Sequence, residues 1–479
     1  MESRNELFKR VGDYYLFDDI NLEKEIALQY GTPTYVFSTK KIKENIRDLK
    51  QSFQKTYPNT SIAYSMKNNY IPEICSVIAS EIDTFEITSL TELKIVEKIV
   101  FNQKRNLNLI LTNIYKSDSL IDNTIHSQRD SNTSDYNDPS NLIAIDSYQD
   151  LKNVERIAKK VGKKARVLIR VNPGIKMDIR ETIFASANIS AKCASIIADI
   201  EPIIEASNDP TISIWLPKRE TTPRNDFAEK LVQEAINCKH LELVGLHGHL
   251  GSQITNIEYF DRFFEVISRF YKLMNEKYDD VLEILDLGGG YPVDYSNSGG
   301  VPTIEDISKV LTKNIRYANI KPDLIIESGR YITASSGLLL SKVCLTKENS
   351  EGKNLAVLDL SVYSDLLDVL AANWCYDTVL INNLTKQIDK NKGSCWTLVG
   401  GTNDTLDQLT PRSSKCSKCD DSLNGGIERW FPKELKTGDL LAIKNAGAYT
   451  TCFNSNYSGR PIPTKILIAE DQTDRIQLL

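Results

Sequence analysis

Four short segments of this 479-residue chain put chemically capable side chains where β-strand patterns give out. The first is Tyr64-Ser65-Met66-Lys67-Asn68-Asn69, in which Lys67 closes the strand-like run beginning at Ser61. A lysine at a strand end is commonly a solvated charge. It is also the side chain that condenses with an aldehyde. The other three lie far down the chain: His247-Gly248-His249-Leu250-Gly251-Ser252, Asp286-Leu287-Gly288-Gly289-Gly290-Tyr291-Pro292 and Glu327-Ser328-Gly329-Arg330. Each of these also ends a predicted strand. Together they supply an amine, an imidazole, a carboxylate, a hydroxyl, a guanidinium and a run of glycines.

Positioning these groups requires a scaffold that gathers strand ends. β-branched runs followed by helical patterns predict strands at 61–67, 84–89, 108–113, 141–147, 165–172, 243–251, 283–290 and 323–330. Stretches such as Ile71 to Ser80 and Asp261 to Asn275 carry apolar residues at helical spacing between them. Eight such units match the size of a (β/α)8 barrel. An open doubly wound sheet has the same alternation, but only a closed barrel brings all these strand ends to one mouth. Beyond residue 331 short apolar strands follow with turns and no helical alternation, which predicts an antiparallel β domain. The expected organisation is an N-terminal segment, 1–37, packing on that β domain, a barrel over 38–330, and the β domain over 331–479. Two insertions interrupt the barrel. The one near 122–140 is rich in Ser, Asn and Asp and reads as a surface loop. The other, 173–242, contains apolar runs such as Ile212-Ser213-Ile214-Trp215-Leu216, so part of it is expected to be structured.

Bulk properties exclude several classes. A net charge of −6 leaves no electrostatic footprint for nucleic acid or an anionic membrane. No run approaches the ~20 apolar residues of a membrane span. The polar, acidic Met1-Glu2-Ser3-Arg4-Asn5-Glu6 is unlike a secretory signal. Nine irregularly spaced cysteines point to reduced thiols and a cytoplasmic protein.

Tyr64–Lys67, His249–Ser252, Gly288–Gly290, Glu327–Arg330 and Gly447-Ala448-Tyr449 resemble, in this order, the pyridoxal-phosphate decarboxylases of the alanine-racemase fold. That family includes the diaminopimelate, ornithine and arginine decarboxylases. The resemblance runs from Tyr30-Gly31-Thr32-Pro33-Thr34-Tyr35-Val36 to Asn456-Tyr457-Ser458-Gly459-Arg460-Pro461, and both end segments look most like diaminopimelate decarboxylase. It implies pyridoxal 5′-phosphate held as a Schiff base on Lys67, with His249 against the pyridine ring. The phosphate would be bound by Gly288, Gly289, Gly290, Gly329 and Arg330, with Ser252 and Tyr449 as hydroxyl donors; Arg330 and Tyr449 would also face the substrate. Glu327 decides the reaction type. A carboxylate at the pyridine nitrogen keeps it protonated and stabilises a carbanion at Cα, whereas the racemase branch of the family has an arginine there.

The β domain adds further expectations from the same resemblance. Trp396 to Asp407 is similar to a family loop that crosses into the partner subunit's site, which implies a homodimer with shared active sites. Asn403 stands where that loop carries a cysteine thought to protonate Cα, and an amide has no acidic proton to give. Asp404 is the first candidate for the substrate's distal ammonium and Asp377 the second, the latter in Tyr376-Asp377, which is similar to a tyrosine-acid pair of the family that faces the substrate. Diaminopimelate is favoured by the end segments, ornithine or lysine by Asp404. Cys416-Ser417-Lys418-Cys419 has no second Cys or His pair nearby, so no metal site is expected. Two other readings remain: a non-catalytic regulatory homologue, supported by Asn403 alone, and a racemase, opposed by Glu327.

Overall fold

In the computed structural model all eight predicted barrel strands form: β1 (Thr60–Ser65), β2 (Thr84–Ile87), β3 (Asn108–Leu111), β4 (Leu142–Ile145), β5 (Ala165–Asn172), β6 (Leu241–Gly248), β7 (Ile284–Asp286) and β8 (Asp323–Ser328). The structure describes residues 7–127, 141–175, 177, 185–187, 191–197, 227–295, 299–350, 352–372, 374–384, 393–409, 429–470 and 475–479. Each strand pairs in parallel with the next, and β8 returns to β1 with Glu327 opposite Ala63 and Ser328 opposite Tyr64. The barrel is therefore closed, as parallel strands with helical crossovers permit. Ala63, Ile110, Leu142, Leu168, Val244 and Ile325, from six of the strands, fuse into one buried cluster.

Local sequence sets the crossovers. Ser89 and Ser147 cap the helices Leu90–Gln103 and Tyr148–Val161 by accepting from Glu92 N–H and Asp150 N–H. Thr303 and Asp306 form a reciprocal capping box at the start of Ile304–Ala318, satisfying donors the first helical turn leaves over. The helix Ile257–Lys277 buries Phe260, Phe263, Phe264, Ile267 and Phe270. Of the insertion at 173–242, Ser195–Ile196 adds a short parallel strand beside the end of β5, and Ala228–Asn237 is a helix. Of the insertion near 122–140, the residues up to His126 belong to the helix Asp118–His126 rather than to a loop; 128–140, Ile212 to Leu216, and Cys416 and Cys419 lie outside the described residues.

The chain divides into two compact units, the barrel in Ile46–Pro292 with Gly300–Arg330, and a sheet unit in Met1–Asn45, Val293–Gly299 and Tyr331–Leu479. At the heart of the sheet unit lies Thr34–Ser38, buried along its whole length. It pairs antiparallel with Gly337–Glu348 and parallel with Thr464–Ile468. A second parallel pair, Asn354–Leu358 with Ser394–Val399, makes the sheet mixed rather than wholly antiparallel. Val36, Leu338, Leu340, Ala442, Ile466 and Ile468 form its core, to which Phe17, Ile20 and Leu22 contribute from the N-terminal residues. Cys75, Cys193, Cys238, Cys344, Cys375 and Cys452 are free thiols. Cys395 is disulfide-bonded, which departs from the expectation that every cysteine is reduced. Among the described residues no helix is long and apolar enough to cross a membrane.

Candidate active site

Lys67 leaves the end of β1 in the tight turn Met66–Asn68. Its Nζ lies 2.5 Å from Oε2 of Glu86, a fully buried carboxylate on β2. The other oxygen of Glu86 accepts from the Thr112 hydroxyl just past β3. The lysine side chain keeps 35% of its surface exposed, so the amine is both held and reachable.

Gly288–Gly290 follow β7 without room for side chains. A Cβ on Gly288, whose φ is +59°, would lie 2.5 Å from Gly248 O and 2.6 Å from His249 Nδ1. Gly290, at φ +118°, sits against Gly251 O, and its own carbonyl accepts from Ile254 N–H at 3.0 Å. Arg330, nearly buried, donates to Ser252 Oγ through Nε at 3.3 Å and Nη2 at 3.0 Å. Gly329 is equally confined, since its Cβ would meet the Asn68 amide and Ser65 O. Guanidinium, hydroxyl and glycine backbone thus gather at one mouth of the barrel, a donor set suited to phosphate.

Behind them lies a dry cluster of titratable groups. His249 Nδ1 accepts from Gly289 N–H at 3.0 Å, which leaves Nε2 as the protonated nitrogen of a neutral ring. Burial, aided by the Lys67 charge, holds this imidazole well below its ordinary value. Glu327 and His247 are each 1% exposed, with Oε1 and Nε2 3.5 Å apart. Burial alone would raise the Glu327 carboxyl; the adjacent His247, then the Lys67 charge, more than offset it and hold the group at about 2. Asp286 responds in the opposite sense, pushed well up by burial and then by the Glu327 charge. Glu327 Oε1, Asp286 Oδ2 and both His247 nitrogens are buried without a hydrogen-bond partner. An ionised, dry carboxylate with an open acceptor is what a protonated ring nitrogen would satisfy. The residues therefore fit pyridoxal phosphate, by the glycine cradle at one end and the open Glu327 oxygen at the other.

The remaining sequence-predicted residues belong to the sheet unit. Tyr449 adopts φ +54° in a turn where a Cβ on Gly447 would lie 1.9 Å from Thr333 O. Tyr376 is buried edge-on against Tyr295, and Asp377 is paired with Lys444 at 2.9 Å. Asn403 is exposed, on a loop braced by Asp407, whose oxygens accept from Val362 N–H, Thr402 N–H and the Thr402 hydroxyl. Asp404 accepts from Leu406 N–H at 2.9 Å and the Tyr363 hydroxyl at 2.7 Å. Sequence reasoning missed Glu86 and Thr112, and quoted His247, Asp286 and Asp407 without a role. His247 and Asp286 carried a usable signal, since His247 shares its strand face with His249 and Asp286 opens the glycine run.

A family model, "Pyridoxal-dependent decarboxylase, pyridoxal binding domain", matches residues 40–214 and 224–334. The diaminopimelate decarboxylase of Aquifex aeolicus is 26% identical over 469 residues, covering 97% of this chain and 94% of the relative. That of Archaeoglobus fulgidus is 24% identical, covering 95% and 91%. The crystal structure of diaminopimelate decarboxylase from M. jannaschii shares the fold with a TM-score of 0.77 at 22% identity, covering 99% of this chain and 94% of that one.

Proposed function

The chain belongs to the pyridoxal-dependent decarboxylases, and from that premise we propose that it removes CO2 from an amino acid carrying a second charged group. Diaminopimelate is the favoured substrate, in keeping with its relatives from Aquifex aeolicus and Archaeoglobus fulgidus; lysine or ornithine is the second choice, on the strength of Asp404. The observation that carries this reading is Glu327: buried, held ionised, with Oε1 making no hydrogen bond beyond its 3.5 Å approach to His247 Nε2.

Bound pyridoxal phosphate supplies a sink for the electron pair that the departing carboxylate leaves. The protein's part is to bind, orient and keep dry. Lys67 Nζ is the attachment point for the aldehyde. Gly288, Gly289, Gly290 and Gly329 would let backbone approach the phosphate, to which Arg330 and Ser252 would donate, with Tyr449 as a further candidate donor. The neutral His249 ring would pack against the pyridine, and Glu327 would keep its nitrogen protonated. Arg330 and Tyr449 face the substrate's reacting end, while Tyr376, Asp377 and Asp404 are the candidates for its distal ammonium. Asn403, exposed on a braced loop, supports a homodimer in which the loop enters the partner's site. The six free thiols among the described residues support a cytoplasmic location; the Cys395 disulfide is the observation against it.

The purified protein should be yellow, lose its visible band on borohydride reduction, and release CO2 from meso-diaminopimelate, lysine or ornithine. A colourless protein that cannot take up the cofactor would instead be a regulatory homologue. Interconversion of enantiomers without CO2 would make it a racemase.

A further inference from the structure

We propose that Glu86, braced by Thr112, docks the Lys67 ammonium and makes Lys67 the proton donor that completes the reaction. This deepens the decarboxylase reading and rests on it. Three observations converge. Lys67 Nζ sits 2.5 Å from Glu86 Oε2, and the Glu86 side chain has no exposed surface. The second Glu86 oxygen is anchored by the Thr112 hydroxyl, so the carboxylate cannot swing away without abandoning that bond. Asn403, where the resemblance leads one to expect a thiol, offers only amide protons.

Chemistry links the three. When the substrate's amine takes the place of Lys67 on the cofactor's aldehyde carbon, the freed lysine is left beside the nitrogen attached to Cα. A buried carboxylate within hydrogen-bond reach keeps that lysine as the ammonium and on the site. After CO2 leaves, the proton passes from Nζ to the electron pair at Cα, and Lys67 becomes a neutral amine. That amine then displaces the product and re-forms its own bond to the aldehyde carbon. Without the dock, water protonates the electron pair at the aldehyde carbon, and hydrolysis gives an aldehyde and the aminated cofactor. Glu86 is thus a positioning residue acting through Lys67.

Two readouts test this. In the cofactor-free protein at fixed neutral pH, trinitrobenzenesulfonate should modify Lys67, followed by peptide mass, roughly 10-fold faster in Glu86→Gln than in wild type, because a neutral amide no longer holds the amine as the ammonium. In the holoenzyme, aldehyde per CO2 should rise roughly 10-fold in Glu86→Gln and less in Thr112→Val, and Glu86→Asp should restore most of the amine yield. An unchanged modification rate, or an unchanged aldehyde fraction in a variant whose circular dichroism and Tm match wild type, overturns the proposal. If wild type releases no CO2 from any amino acid, the decarboxylase reading fails, and with it the donor role; the modification arm still decides whether Glu86 docks Lys67.

Discussion

The mouth of the barrel and the loop at Gly400–Asp407 treat their carboxylates in opposite ways. At the barrel mouth, Glu327 and Asp286 each leave an oxygen buried and unpartnered, and His247 leaves two nitrogens in the same state. On the loop, Asp407 accepts three hydrogen bonds and Asp404 two, all from nearby turns. Leaving a buried acceptor empty costs roughly 1–3 kcal/mol, a cost a protein sustains where something else will fill it. The loop's carboxylates already serve its own shape. Any ammonium bound at Asp404 must share it with Tyr363, so the loop contributes a rigid outline as much as a free charge.

The largest test of this contrast is Lys67→Ala. Without the attachment amine, turnover should fall to background and the borohydride-stable pyridoxyl mass should vanish from the Lys67 peptide. Finding that mass on another lysine would move the site elsewhere. Glu327→Gln comes next. It keeps the shape and removes the charge, so turnover should fall roughly 30- to 1000-fold, on the order of 2–4 kcal/mol. Cofactor affinity should change far less, since the phosphate is held elsewhere. Unchanged turnover would mean the open oxygen faces nothing.

Mixing Lys67→Ala with Asp404→Ala subunits probes the loop. If the loop serves the neighbouring subunit, each mixed dimer has one intact site, and activity should recover to about a quarter to a half of wild type. No recovery despite proven subunit exchange would leave each barrel to its own loop. The smallest effect belongs to Asp365, in the sheet unit, which burial pushes up to about 6. Between the unfolded value near 4 and that folded value, the folded state binds the extra proton. Stability should therefore fall as pH rises through this window, by about 3 kcal/mol at most. Asp365→Asn should flatten the Tm profile from pH 4 to 7, and an unaltered profile would show that Asp365 ionises without cost.

What the sequence made legible follows from the same contrast. Lys67, Gly288–Gly290, Glu327 and Arg330 stand at strand ends, where local pattern marks the position and residue type marks the chemistry. All eight barrel strands were legible for the same reason: period-2 and buried runs are local signals. Glu86 was not legible, because Thr84-Phe85-Glu86-Ile87 looks like any strand with one polar residue. Its meaning comes from registering β2 against β1 and β3, which places Lys67 and Thr112 on either side of it. The pairings of Asp377 with Lys444 and of Asp404 with Tyr363 join residues 67 and 41 positions apart, a separation no local pattern encodes. The parallel pairs of the sheet unit were missed likewise, since strand direction is decided by distant partners.

The placement of Thr34–Ser38 has a consequence for how the polypeptide is made. This strand is made before both of its neighbours, Gly337–Glu348 and Thr464–Ile468, which come hundreds of residues later. At ~5–20 residues per second, roughly 20–90 s separate its synthesis from that of its last partner. All eight barrel strands are complete by Ser328 and can close during that interval. Meanwhile Thr34-Tyr35-Val36-Phe37 waits as an apolar strand with both edges open, a ready template for the same segment on a neighbouring chain. A holdase that covers residues 34–38 should therefore raise the soluble yield more than one acting on the barrel, which co-expression would measure.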